Sequence, residues 1–212
     1  MKRTSFLRLI GALIVALTPL LAAPVHAQDE AADAMIKRLS TEVLDSIKAD
    51  PSLRSGDVLR LNSLVDAKLM PSTNFRRMTA SAAGPRWRQM TPEQQKRLQE
   101  EFKLLLVRSY AGAMSQASEL SIVVKPLRAS AEDREVVVRT EAKGRGEPIQ
   151  IDYKMEKTPG EGGGWKVFNL NVMGVWLVET YRSQFTQEIN AKGVDGLIAA
   201  LAERNKLNAK KS

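Results

Sequence analysis

Cysteine is absent from this 212-residue chain, and histidine occurs once, as His26. Without cysteine there is no disulfide, so an exported form must hold together by core packing alone. Once His26 is removed with the N-terminal leader described below, a Ser-His-Asp triad, a Cys-His pair and any His or Cys metal site are excluded. No paired-carboxylate motif stands out in their place. The residues therefore point to no catalytic group, no metal ligand and no cofactor. Long apolar runs are also scarce beyond the N-terminus. The densest, "FKLLLV" (Phe102 to Val107), is interrupted by Lys103 and bounded by Arg108, too short to cross a bilayer.

The N-terminus has the layout of a secretory signal peptide. Lys2, Arg3 and Arg8 form a basic region, Leu9 to Ala23 is apolar and uncharged, and "VHA" (Val25 to Ala27) places small residues where a signal peptidase reads. Cleavage is expected after Ala27. The alternative, an uncleaved anchor, is disfavoured by the shortness of the run. The remaining 185 residues keep 29 basic against 24 acidic side chains, because the leader removes Lys2, Arg3 and Arg8 and no acid. A net charge of +5 is compatible with an anionic surface as partner, or simply with solubility. Nucleic acid is not expected as the partner of an exported chain.

The mature region reads as one domain over residues 28–205, helical over 28–117, sheet over 118–174 and helical again over 175–205, with 206–212 as a disordered tail. Met35, Leu39, Val43 and Ile47 mark a helix from Ala31 to Lys48 that "DPS" (Asp50 to Ser52) breaks. A second helix is expected from Asp57 to Met70, stopped by Pro71. "STNFRRMTASAAG" reads as a short helix capped by Ser72 and ended at Gly84. Thr91, Pro92 and Gln94 then open the clearest helix with a capping box, and Leu98, Phe102, Leu105 and Leu106 form its apolar face.

Four strands follow, within Leu120–Leu127, Arg134–Ala142, Pro148–Lys157 and the stretch opening at Gly164. Turn chemistry separates them, so the sheet is an antiparallel meander. Ile149, Ile151, Tyr153 and Met155 alternate with Gln150, Asp152, Lys154 and Glu156, which predicts one dry and one wet face. Phe168, Leu170 and Val172 continue the dry face. Helical spacing of Leu177, Val178, Tyr181, Phe185 and Ile189 then closes toward Gly193, a C′ glycine, and a last helix runs from Asp195. The fold class is α+β: a curled antiparallel sheet of about four strands packed against several helices, with an apolar cavity between them.

Two motifs fail on inspection. "GEGGGWK" (Gly160 to Lys166) has Trp165 where a phosphate loop needs glycine, and it precedes a strand instead of joining strand to helix. "PRWRQM" offers one aromatic and two arginines, too little for a nucleic-acid patch.

The order of the pieces "MPSTNFRRMTASAAGPRWRQMTPEQQKRLQEEFKLLLVRSYAGAM", "GWKVFNLNVMGVWLVETYRSQF" and "INAKGVDGLIAAL" resembles the MlaC, or toluene-tolerance, family of periplasmic phospholipid carriers. It departs from the family pattern at Asn74 and Asn169, where the family often has Asp, and at Trp176, where it often has Ser. The resemblance implies a carrier, not an enzyme. It implies a phospholipid ligand, an outer-membrane lipoprotein complex and an inner-membrane MCE-domain transporter as partners, and a role in outer-membrane lipid asymmetry. The physics agrees. The roughly 30 methylenes of two acyl tails, at about 0.8 kcal/mol each, cost on the order of 20 kcal/mol or more to expose. Lipid crossing water therefore needs an apolar container and no covalent chemistry.

The expected wall combines Val136, Val138, Ile149, Ile151, Tyr153, Phe168, Leu170 and Val172 from the sheet with Phe102, Leu106, Tyr110, Val175, Val178 and Tyr181 from the helices. Arg108, Lys166 and Arg182 are candidates to attract a head-group phosphate, with solvated surface charge as the competing reading. Two other classes stay open from the residues alone: an exported adaptor with a filled core, and an enzyme on a cone-shaped α+β scaffold.

Overall fold

The structure, a computed structural model, describes residues 30–130, 132–161 and 164–209. The leader and its cleavage site lie outside the described residues. None of the described helices is long and apolar enough to cross a membrane.

Helix α1 (Ala32–Ala49) buries Met35, Ile36, Leu39, Leu44 and Ile47. It ends where Asp50 turns extended before Pro51, and the Asp50 carboxylate accepts from the Ser52 N–H at 2.8 Å to cap the short α2 (Pro51–Arg54). Asp57 caps α3 (Val58–Leu64) through the N–H groups of Leu59 and Arg60. The helix expected to reach Met70 does not stay α-helical. Val65–Leu69 is a π-helical turn and Met70–Ser72 a 3-10 turn. Pro71 explains this, because its ring collides with the carbonyl four residues back, at Ala67, and it brings no N–H to an α-helical ladder.

Helix α4 (Phe75–Ala83) is capped by Asn74 and not by Ser72. Ser72 is held in the 3-10 turn, and Thr73 is extended, bridging to Val167 of the sheet, so the helix can begin only after Asn74. A 3-10 turn (Gly84–Gln89) buries Trp87. Helix α5 (Pro92–Ser115) carries the expected reciprocal capping box of Thr91 and Gln94.

The strands β1 (Ser121–Val124), β2 (Glu135–Lys143), β3 (Ile149–Thr158), β4 (Gly164–Val172) and β5 (Val175–Trp176) form one antiparallel sheet in sequence order. The two-residue β5 turns back on β4 through Met173 and Gly174. Helix α6 (Leu177–Ala209) closes the chain and is broken at Gly193, where φ is 72°. This is the break that the glycine predicts.

One irregularity decides which side chains face inward. Tyr153 lies opposite Leu170 and Lys154 opposite Asn169, but Met155 lies opposite Val167. Phe168 is the extra residue of a β-bulge, so the alternation reverses parity there. Val167 joins the dry face beside Met155, and Phe168 is turned to the other face, where the Arg77 guanidinium stacks on its ring at 3.6 Å.

The apolar interior has solid parts. Phe102 sits 4.8 Å from Tyr181, 5.1 Å from Phe185 and 5.6 Å from Phe75, centroid to centroid, filling the corner between α4, α5 and α6. The N-terminal half of α1 packs Met35, Ile36 and Leu39 onto Val136, Val138, Met155, Trp165 and Val167. Ile47, Leu53, Leu61, Leu64 and Val107 form a smaller cluster among α1, α2, α3 and α5.

Candidate binding cavity

Between these clusters the interior is hollow. A cavity of about 470 Å³ lies under the sheet, bounded by α1, the π-helical turn, the start of α4 and the C-terminal two-thirds of α5. This volume falls in the range of sites that take up small apolar ligands, about 300–1,000 Å³. On the sheet side it meets Ile122, Ala142, Ile149, Ile151, Tyr153, Leu170 and Val172, and reaches Val167 beyond the bulge. The register explains why these act together. Ala142 faces Ile149, Ile151 faces Val172 and Tyr153 faces Leu170, so the lining is one end of the dry face. The other end, at Val136 and Met155, is covered by α1.

The helical wall is dominated by one stripe of α5: Leu106, Val107, Tyr110, Ala113 and Met114, with Lys103 at its start, and Ala117 of the following 3-10 turn (Gln116–Glu119) continues it. At 1.5 Å per residue, Lys103 to Met114 spans about 16 Å. Of the lining residues, Ile149 and Ala113 are the exposed ones. An opening therefore lies between the first residue of β3 and the last turns of α5.

The structure places Leu106, Tyr110, Ile149, Ile151, Tyr153, Leu170 and Val172 on this wall. The other predicted wall residues lie elsewhere. Val136 and Val138 are on the dry face but packed beneath α1. Phe168 is reversed by the bulge. Phe102, Val178 and Tyr181 belong to the filled aromatic corner. Val175 is on β5 at the outer rim, 52% exposed.

The proposed head-group cations also lie away from the cavity. Arg108 donates to the Asn205 carbonyl between α5 and α6, Lys166 pairs with Glu161 at 2.8 Å, and Arg182 donates through Nε to the Ser81 carbonyl at 2.8 Å. Sequence reasoning missed Ile36, Leu39, Val43, Leu69, Met70 and Met114, all apolar at helical spacing and legible as buried but not as cavity wall.

Among the described residues, charge on the wall is confined to Lys103, whose ammonium bridges to Asp66 of the π-helical turn at 2.6 Å. Tyr153 brings a phenol to the sheet side of the wall. Burial pushes its phenol up, against hydrogen bonds with Thr140 and Ser40. Burial likewise pushes the Tyr110 phenol up. Both stay protonated at neutral pH, so the wall holds no general base.

Two of the family departures have a local reason. Asn74 Nδ2 donates to Glu156 Oε1 at 2.6 Å, and Asn169 Nδ2 donates to Glu179 Oε2 at 2.8 Å. An aspartate at either site would set two carboxylates against each other. Asn169 Oδ1 also accepts from the Val178 N–H at 3.1 Å, capping α6. Burial opposes ionisation of Glu179, but the Asn169 hydrogen bond and the Lys154 charge prevail and hold its carboxyl below the usual range. Trp176 does not line the cavity; its ring lies 4.3 Å from the Lys154 ammonium.

The chain is similar to proteins of known role. A relative from Pseudomonas putida, the toluene tolerance protein ttg2D, is 26% identical over 162 residues, covering 76% of this chain and 74% of the relative. The intermembrane phospholipid transport system binding protein MlaC of Haemophilus influenzae is 22% identical over 172 residues, covering 80% and 79%. Among solved structures, the phospholipid-binding protein from Ralstonia solanacearum, in complex with a phospholipid, is 44% identical with a TM-score of 0.80, covering 85% of this chain and 99% of its own. The family model described as MlaC protein matches residues 37–203. That span runs from the first turns of α1 to the last turns of α6 and includes nearly every residue that bounds the cavity. The chain belongs to the MlaC family.

Proposed function

We propose that this protein is a phospholipid carrier of the periplasm. It takes the acyl chains of one diacyl phospholipid into the cavity beneath the sheet and leaves the head group in water. The observation that carries this reading is the hollow interior of about 470 Å³ with an almost wholly apolar wall. Its supports are the family and the phospholipid bound to the Ralstonia solanacearum relative. The partners are an outer-membrane lipoprotein complex at one membrane and an MCE-domain transporter complex at the other, and the role is to maintain outer-membrane lipid asymmetry.

The reading needs no chemical step. A carrier works by offering an environment about as apolar as a bilayer, so that loading and unloading stay near balance. A filled-core adaptor has no use for such a space. An enzyme would need a titratable pair on the wall, where the two tyrosines are held protonated and Lys103 is paired.

Native mass spectrometry of protein purified without detergent, followed by solvent extraction, tests the proposal. About one diacyl phospholipid per chain is expected. Lipid-free protein in repeated preparations, with no uptake from phospholipid vesicles, would overturn it.

A further inference from the structure

Three exposed apolar side chains gather at one end of the sheet. Ile149 is 37% exposed, Val175 52% and Met173 61%. The register puts them together. Ile151 faces Val172 and Val172 faces Val175, so the start of β3, the end of β4 and the Met173–Gly174 turn share that end. It is also the end at which the cavity opens. Ile149 belongs to the wall itself, and Val175, paired with the lining residue Val172, continues the same face outward. The apolar lining thus runs without a break from the cavity to the surface.

The turn that presents Met173 is built and strained. Met173 has φ +52°, a left-handed conformation that favours glycine or asparagine over an unbranched apolar residue. Its N–H donates to the Gln150 carbonyl at 3.0 Å, and the Gly174 N–H donates to Asn171 Oδ1 at 2.9 Å. A large apolar side chain is thereby held in solvent on a fixed support, and strain of this kind clusters at working surfaces. Beside it, the β2–β3 turn at the same sheet end carries a fringe of mixed charge, Lys143, Arg145 and Glu147, all exposed. The pairings of Lys143 with Glu141 and of Arg145 with Glu119 are surface ion pairs of the sort that compete poorly with other anions.

We propose that this sheet end docks on the surface of a phospholipid bilayer, with Ile149, Met173 and Val175 entering the acyl region and Lys143 and Arg145 lying among the head groups. The proposal rests on the carrier reading. The patch favours a bilayer over a folded protein on size: a stable protein interface takes about 20–30 residues a side, whereas three apolar tips fringed by charges of both signs suit shallow, reversible insertion among zwitterionic head groups. Continuity with the cavity gives the insertion a purpose. A tail passing between bilayer and cavity then stays against apolar surface throughout.

The test uses the purified protein with vesicles of phosphatidylcholine, alone and with phosphatidylglycerol. The double variant Met173→Asn/Val175→Thr removes the apolar tips while suiting the backbone at both sites, since Asn tolerates positive φ and Thr is β-branched. Leu207→Thr, an equally exposed leucine near the end of α6, is the control. Wild type and control should float with vesicles and exchange fluorescent phospholipid. The double variant should lose flotation and exchange at least tenfold more slowly at unchanged melting temperature. If the double variant floats and exchanges like wild type, or if wild type exchanges lipid without associating with vesicles, the docking proposal fails while the carrier reading stands. A defect seen only when a protein partner is added would also overturn it, by assigning the edge to a protein. Failure of wild type to take up any lipid would instead sink the carrier reading.

Discussion

Leu170→Trp and Val178→Trp lie eight residues apart in the chain yet should behave in opposite ways. Leu170 is half-buried on β4, opposite Tyr153, and lines the cavity. Val178 is 3% exposed in the corner filled by Phe102, Tyr181 and Phe185. An indole at position 178 has no space and overpacks, which typically costs about 1–3 kcal/mol. For a chain of this size each kcal/mol moves the melting temperature by about 2–4 °C, so a fall of roughly 2–12 °C is expected. At position 170 the indole enters existing space. If it displaces two or three methylenes of a bound tail, at about 0.8 kcal/mol each, lipid binding weakens by about 2 kcal/mol, or roughly thirtyfold. Bound lipid stabilises the folded state by mass action, so the proteins are compared after delipidation. Delipidated Leu170→Trp should melt at or above wild type, and native mass spectrometry of the undelipidated protein should show its cargo depleted. A delipidated Leu170→Trp as destabilised as Val178→Trp, in protein that otherwise keeps its lipid, would refute the division between hollow wall and solid corner.

Other expectations follow from particular contacts. Asn169→Asp sets a second carboxylate against Glu179; after allowance for the exposure of Glu179, the loss at neutral pH should be about 1 kcal/mol. One carboxyl of that pair is then raised above its unfolded value, so the variant should regain stability as pH falls. In wild type, Glu179 is held low, so its contribution is present at neutral pH and is lost as pH falls through its folded value. Urea titrations at neutral and acidic pH should therefore show opposite trends at this site. Thr91→Ala breaks the capping box of α5 and should cost about 1 kcal/mol, read as a shift of urea midpoint at constant slope. Intact-mass measurement of protein exported by cells should give a chain beginning at Gln28; retention of residues 1–27 would contradict the leader reading.

The elements were legible because their boundaries carry local chemistry. Thr91, Pro92 and Gln94 announce α5, Gly193 announces the break in α6, and the polar turns separate the strands. The cavity wall was less legible, for reasons tied to single residues. The bulge at Phe168 leaves no mark in an alternation that continues smoothly through Leu170 and Val172. The stripe of α5 from Leu98 to Met114 is apolar apart from Lys103, and periodicity reports that it is buried without telling whether it meets side chains or space. The π-helical turn at Val65–Leu69 is too short to shift a helical period. Local pattern puts the cap of α4 at Ser72, two residues early, because the Thr73–Val167 bridge is a long-range contact that it does not encode.

The size of the hollow has a consequence for how cargo changes hands. In packed proteins an unrelieved cavity costs about 24 cal/mol per Å³. Applied to about 470 Å³, that is up to about 11 kcal/mol, as large as the whole stability of an ordinary domain. Water at the open end and inward movement of the wall reduce the figure, but its scale makes the acyl chains a structural component as much as a passenger. Simple release into water would strip the lipid of its shelter and the protein of part of its interior at once. Delivery should then proceed as a swap, in which the receiving surface presses apolar groups into the mouth while the tails leave. The emptied molecule, its wall partly wetted and drawn inward, is the form poised to take up the next lipid it meets.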